Sequence, residues 1–245
     1  MDMKPRCRIF KTPADVARYF AGELSEKINR AARKGKILNI ALSGGSTPKI
    51  LFSELASEYS QFTGWQNVNL YWVDERCVPP GDPESNYGMT KKLLIDAIDI
   101  PGHHVHRIRG EDDPELEAER YSREIMENVP SRRSIPVFDI IILGMGDDGH
   151  TASIFPGNEK LFSSDKICDT AIHPVTKQKR VTLTGKVINN AKEIFFLVTG
   201  IKKSSVISKI FSKNENSAMF PASHVKSNSG RTVWLIDEEA ANNSE

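Results

Sequence analysis

The chain has 245 residues, with 33 Lys and Arg against 32 Asp and Glu, for a net charge of +1. That length suits one domain with a sizeable core, and the near-neutral balance gives no reason to expect nucleic acid or an anionic membrane as partner. Cys7, Cys77 and Cys168 form no C-x-x-C pair, and no run reaches the ~20 apolar residues of a membrane helix; a disulfide frame, zinc knuckle, signal peptide and membrane span are set aside, and a cytoplasmic protein is expected.

Thr12-Pro13 opens the first predicted helix: Thr12 as N-cap, Pro13 at the first helical position, Asp15 in the first turn. Gly35 ends it. Residues 37–42 predict a strand, Ser43 to Ser46 a turn, and Thr47-Pro48 a second helix by the same capping logic. A strand over 68–73 leads into a Pro/Gly/Asp-rich loop over 74–86, a helix, and a short segment over 105–108. Residues 115–127 read as an exposed helix rich in both charges. Residues 138–143 are an apolar run that reads as a strand buried on both faces. Later come strands over 180–183 and 194–199, a helix from about 201 to 211, a last strand over 232–236, and a polar, frayed tail from about Asp237. Strands alternate with helices, so an α/β fold is expected, its sheet mostly parallel with helices on both faces. No repeat or linker divides the chain, and one domain over 1–245 is expected.

The chemistry sits at strand tips. Ser43, Gly44, Gly45, Ser46 and Thr47 join a strand to a helix, where backbone N–H groups and the helix N-terminus make an anion site suited to phosphate. The bland reading is a tight capped turn. The run nearly matches a nucleophile elbow, but Ala41 replaces its first glycine and one predicted strand precedes it. The run from Gly144 to Gly149 satisfies G-x-G-x-x-G, yet Asp147 and Asp148 would repel a pyrophosphate and Pro156 cuts short the helix that should follow. Asp148-Gly149-His150 places a carboxylate two residues before an imidazole able to take a proton from water. His103, His104 and His106 could suggest a metal; no ligand set is completed nearby, and they read as surface histidines. Asp74-Glu75-Arg76 brings two acids and a fork-shaped cation to another tip, where the bland reading is a local ion pair. Lys203 follows the tip at Thr199-Gly200. Each tip is weak alone; their convergence on one sheet edge is the argument.

Longer runs around and beyond these tips belong beside them. Val73-Asp74-Glu75-Arg76-Cys77-Val78-Pro79 and Ser85-Asn86-Tyr87 are followed by Leu143 to Pro156, with Arg180-Val181-Thr182-Leu183-Thr184 and Pro221-Ala222-Ser223 beyond. In order, and over nearly the whole chain, they resemble the 6-phosphogluconolactonase family, whose superfamily also holds glucosamine-6-phosphate deaminase. The resemblance implies a Rossmann-like sheet and hydrolysis of 6-phospho-D-glucono-1,5-lactone without cofactor or metal, in a monomer or weak homodimer. It implies His150 as general base, with Asp148 and Arg76 as its catalytic company. It places the phosphate on the 43–47 loop with Arg180 and Lys203, and counts Asp74, Glu75 and Gly146 among the substrate contacts. In the deaminase branch the Asp-Gly-His turn is followed by a Glu that assists ring opening; Phe155 stands there instead. A sugar-phosphate sensor would carry an N-terminal helix-turn-helix, and only one helix fits before residue 37.

Overall fold

The computed structural model describes residues 6–212, 215–228 and 230–242. In chain order the first half runs β1 (Arg6–Phe10), α1 (Pro13–Ala32), β2 (Leu38–Leu42), α2 (Ser46–Glu58), β3 (Val68–Trp72), β4 (Asp74–Arg76), α3 (Asn86–Leu93), β5 (Val105–His106), α4 (Pro114–Asn128), β6 (Ser131–Arg132) and β7 (Ile135–Pro136). The second half runs β8 (Ile140–Leu143), α5 (Lys160–Ser163), β9 (Cys168–Ile172), β10 (Lys179–Leu183), α6 (Gly185–Asn190), β11 (Glu193–Val198), α7 (Ser204–Ser212), β12 (Arg231–Asp237) and α8 (Glu238–Ala241). Seven strands form the main sheet in the order β1-β12-β11-β8-β2-β3-β5. Every pairing in it is parallel, and helices surround it as the alternating pattern predicts.

That order contains a switch point. From β2 the chain winds outward through β3 to β5; from β8 it winds the other way through β11 to β12. β2 and β8 are neighbours, so the connections leaving their carboxyl ends part and open a crevice, the place where open α/β sheets bind ligands. β8 is buried at all four residues, in keeping with a central strand covered on both faces. Each such buried Ile or Leu side chain contributes about 1.5–3 kcal/mol.

Local signals explain several boundaries. Thr12 caps α1, accepting from the Asp15 N–H at 3.2 Å. Four expectations need correction. The edge strand β1 went unread, because its exposed Arg6-Cys7-Arg8 lacks a core face. The stretch after β3 does not begin as a loop: β4 pairs antiparallel with β10, and β10 with β9, in a separate three-stranded sheet. α4 is not exposed all round, since Glu117, Ala118, Tyr121 and Ile125 form a buried stripe. His106 is not a surface residue: it stacks on Tyr71, ring centroids 4.4 Å apart, with Nδ1 2.8 Å from the Glu124 carboxylate. Order also continues past Asp237, which is buried and caps α8; residues 243–245 of the expected tail lie outside the described residues. No helix among the described residues is long and apolar enough to cross a membrane.

Candidate active site

A cleft of about 230 Å³ opens at the switch point. Its walls come from four places in the chain: the turn after β2, the β4 and β10 strands, the glycine turn after β8, and the turn after β11.

The turn after β2 is built for an anion. Gly45 adopts φ +110 and is the N-cap of α2, so no side chain caps that helix. Thr47 is therefore not the cap that its place before Pro48 predicts. Its hydroxyl instead meets the Thr199 hydroxyl, oxygen to oxygen 2.9 Å, joining the turns after β2 and β11. The uncapped helix N-terminus, with its partial positive charge, faces the cleft beside Ser43, Gly44 and Ser46. A Cβ on Gly44 would stand 1.8 Å from Asn86 Oδ1 and would push that amide off its bond to the Asp74 carbonyl.

Two guanidiniums face the same space. The register of β4 against β10 sets Arg76 opposite Arg180 and Asp74 opposite Thr182. Arg180 is buried, and Asp74 Oδ2 lies 3.9 Å from its NH1. Burial lowers the Arg180 pKa and the Asp74 charge opposes that shift. Asp74 is itself buried; it accepts from the Ser153 hydroxyl at 2.6 Å, and its backbone carbonyl accepts from Asn86 Nδ2 at 2.9 Å. Ser43 Oγ, Arg76 Nε and Arg180 Nε are buried and have no hydrogen-bond partner among the described residues, and all three residues line the cleft. Buried donors without partners are costly unless a ligand satisfies them. Ser43 Oγ has no base beside it, which disposes of the nucleophile-elbow reading.

The turn after β8 carries the titratable pair. His150 Nδ1 lies 2.6 Å from Asp148 Oδ1, and the His150 N–H donates to the same oxygen at 3.1 Å. A carboxylate only accepts, so Nδ1 donates to it, and in the neutral tautomer this fixes, Nε2 carries the lone pair. Burial would raise the Asp148 pKa; the hydrogen bonds and charge of His150 prevail and hold it at about 2. A Cβ on Gly146 would meet His150 Nδ1 at 2.1 Å, and Gly149 turns at φ +80. Phe155 packs beneath, its ring centroid 4.8 Å from that of His150.

Of the residues predicted for the site, Ser43, Gly44, Gly45, Ser46, Thr47, Asp74, Arg76, Gly146, His150, Arg180 and Lys203 line this cleft. Lys203 meets it from the turn after β11, where its ammonium pairs with Asp147 across the opening. Asp148 supports His150 from behind. Glu75 does not reach the cleft: its buried carboxylate accepts from the N–H groups of Arg76, Asn86 and Tyr87 and from the Ser85 hydroxyl. It is scaffold, not substrate contact. Asn86, Thr151 and Thr199 line the cleft and had no role assigned from sequence. Asn86 carried a signal, since Ser85 is the N-cap of α3 and so sets Asn86 at its first turn, against β4. Among the described residues no three His, Cys, Asp or Glu side chains lie close enough to hold a metal.

The arrangement defines an open α/β protein whose switch-point cleft combines an uncapped helix N-terminus, two guanidiniums and a histidine bonded to a carboxylate. The chain belongs to the glucosamine-6-phosphate isomerase and 6-phosphogluconolactonase family, whose model matches residues 11–234. It is 45% identical to the 6-phosphogluconolactonase of Haemophilus influenzae over 204 residues, 83% of this chain and 86% of that one. It is 43% identical to that of Treponema pallidum over 220 residues, 90% and 91% of the two chains. The solved 6-phosphogluconolactonase of Trypanosoma brucei superposes with a TM-score of 0.89 at 29% identity, covering 100% of both chains.

Proposed function

We propose that this chain hydrolyses 6-phospho-D-glucono-1,5-lactone to 6-phospho-D-gluconate, a step of the pentose phosphate pathway, with His150 as general base. The observation that carries the assignment of the base is the Asp148-to-Nδ1 bond, which leaves Nε2 as the ring nitrogen not tied to the acid, on a residue that lines the cleft together with the 43–47 turn. The reaction class is supported by the 45% and 43% identical relatives.

A lactone is an activated ester, so water and one base suffice. Nε2 takes a proton from water as its oxygen attacks the lactone carbonyl carbon. The carbonyl π electrons move onto oxygen, and the oxyanion takes donors from Arg76 and the backbone N–H groups of the glycine turns. Collapse reforms the carbonyl and breaks the bond to the ring oxygen, which takes its proton back from the imidazolium. The phosphate sits far from the carbonyl, on the 43–47 turn with Lys203 and Arg180, and its binding energy orients the ring.

Base, cations and anion turn are all supplied within one chain, in keeping with a monomer or weak homodimer. Three free cysteines suit the cytoplasm. A coupled assay on freshly made lactone, with spontaneous hydrolysis subtracted, tests the reading. A clear rate without added metal or nucleotide is expected; folded protein giving only the background rate overturns it.

A further inference from the structure

Asp237 ends the last strand, and its side chain is wholly buried. Burying a carboxylate is costly unless hydrogen bonds replace its water. The hydrogen bonds it accepts come from backbone N–H groups: Ala240 at 2.8 Å to Oδ1, and Gly200 at 2.9 Å to Oδ1 and 3.1 Å to Oδ2. The first is the capping bond of α8, which Ser or Thr would serve as well. The bonds to Gly200 have another consequence, because that glycine begins the turn carrying Lys203 into the cleft.

Gly200 stands at φ +94, and a Cβ built there meets nothing within 4 Å. Its conformation, not crowding, requires glycine. Its carbonyl accepts from the Lys203 N–H at 3.0 Å. The residue is thus held at both ends, by Asp237 through its N–H and by Lys203 through its C=O. On one side of it Thr199 reaches the Thr47 hydroxyl; on the other Lys203 lines the cleft. The buried carboxylate thus holds the backbone of Gly200, which is covalently joined to Thr199 and hydrogen-bonded to the backbone of Lys203, the two residues of this turn whose polar side chains reach the cleft.

We propose that Asp237 is a positioning residue for the anion subsite: it fixes the 199–203 turn so that the Thr199 hydroxyl and the Lys203 ammonium meet the phosphate of the substrate. This rests on the reading that the phosphate is held at Lys203. A strand-end acid 37 residues on from Gly200 thereby sets selectivity without touching substrate.

The test compares Asp237→Ala, Asp237→Asn, Gly200→Ala and Lys203→Ala in the full chain. Each is assayed on 6-phosphogluconolactone and on unphosphorylated gluconolactone, and the ratio of the two kcat/KM values is read. Asp237→Ala and Gly200→Ala should lower that preference by about tenfold, chiefly through KM for the phosphorylated lactone. Asp237→Asn keeps an acceptor for the Gly200 N–H and should retain most of the preference. If Lys203→Ala loses the preference while Asp237→Ala and Gly200→Ala keep it, the proposal fails and the phosphate reading stands. If Lys203→Ala also keeps it, both fail. An equal loss of rate on both lactones marks a merely structural role and overturns the proposal. Should Asp237→Ala not fold, Asp237→Ser decides, since its single hydroxyl can keep the α8 cap but not the two-oxygen hold on the Gly200 N–H; an unchanged preference in Asp237→Ser overturns the proposal.

Discussion

His150 depends on a neighbour with no side chain. A methyl on Gly146 would lie 2.1 Å from Nδ1 and 2.5 Å from the Asp148 carboxylate, so the imidazole would have to move. Displacing a reacting group by an ångström costs on the order of 10²-fold. Gly146→Ala should therefore lower kcat by about that factor, and steady-state kinetics on the lactone check it. With His150 as the proposed base, His150→Asn should lower kcat by roughly 10²–10⁴ while product binding, measured calorimetrically, is largely kept. Asp148 ties the same pair to stability. Its pKa falls from 3.8 to about 2 on folding, so its contribution is complete above pH 3.8 and disappears as pH drops through about 2. Its side chain is 45% exposed, so that contribution is screened and small. Urea titrations should show Asp148→Asn less stable than the parent at neutral pH, the two converging as pH falls through that window.

At the scale of elements, the junction of β4 with α3 shows how a buried acid builds a site it does not enter. The two Glu75 oxygens accept from three backbone N–H groups and one hydroxyl. Burial raises the Glu75 pKa and these bonds oppose the rise. Glu75→Gln keeps the shape but turns an NH₂ toward backbone donors. It should cost about 1–3 kcal/mol in chemical denaturation and loosen Arg76 and Asn86 together. α2 shows the complementary device. Its first turn has no side-chain cap, which leaves N–H groups unspent for the phosphate contact proposed above.

At the scale of the molecule, one parallel sheet brings the loops after β2 and β8 together and lets the β4–β10–β9 sheet close the third side. This frame serves a family with two reaction types, so the fold alone does not choose between them. The choice lies in the groups present. Deamination of an aminosugar phosphate needs ring opening and a proton moved between carbons, hence more acid–base groups than hydrolysis. Phe155 cannot supply one; it is buried between His150 and His173, ring centroids 4.8 Å and 5.0 Å away. Ammonia release from glucosamine-6-phosphate should stay at background, for the parent and for Phe155→Glu, where a carboxylate would enter a buried slot. Release by the parent at a rate near its lactone turnover would move the chain to the other branch.

The sequence by itself determined the α/β class, the central strand and the tips that carry chemistry. Short-range physics writes these locally: glycine where φ turns positive, apolar runs where both faces are covered, a Thr-Pro pair where a helix starts. Only the tertiary structure decided which groups meet. Thr47 reads as a cap and became a partner of Thr199, 152 residues away. Glu75 and Arg76 are adjacent in sequence, yet one is scaffold and the other faces the cleft. Asp237 reads as the start of a tail and is a buried acceptor for Gly200. In each case the local residue type allows several hydrogen-bond partners, and the winner is set by strand order and register, which depend on contacts far apart along the chain.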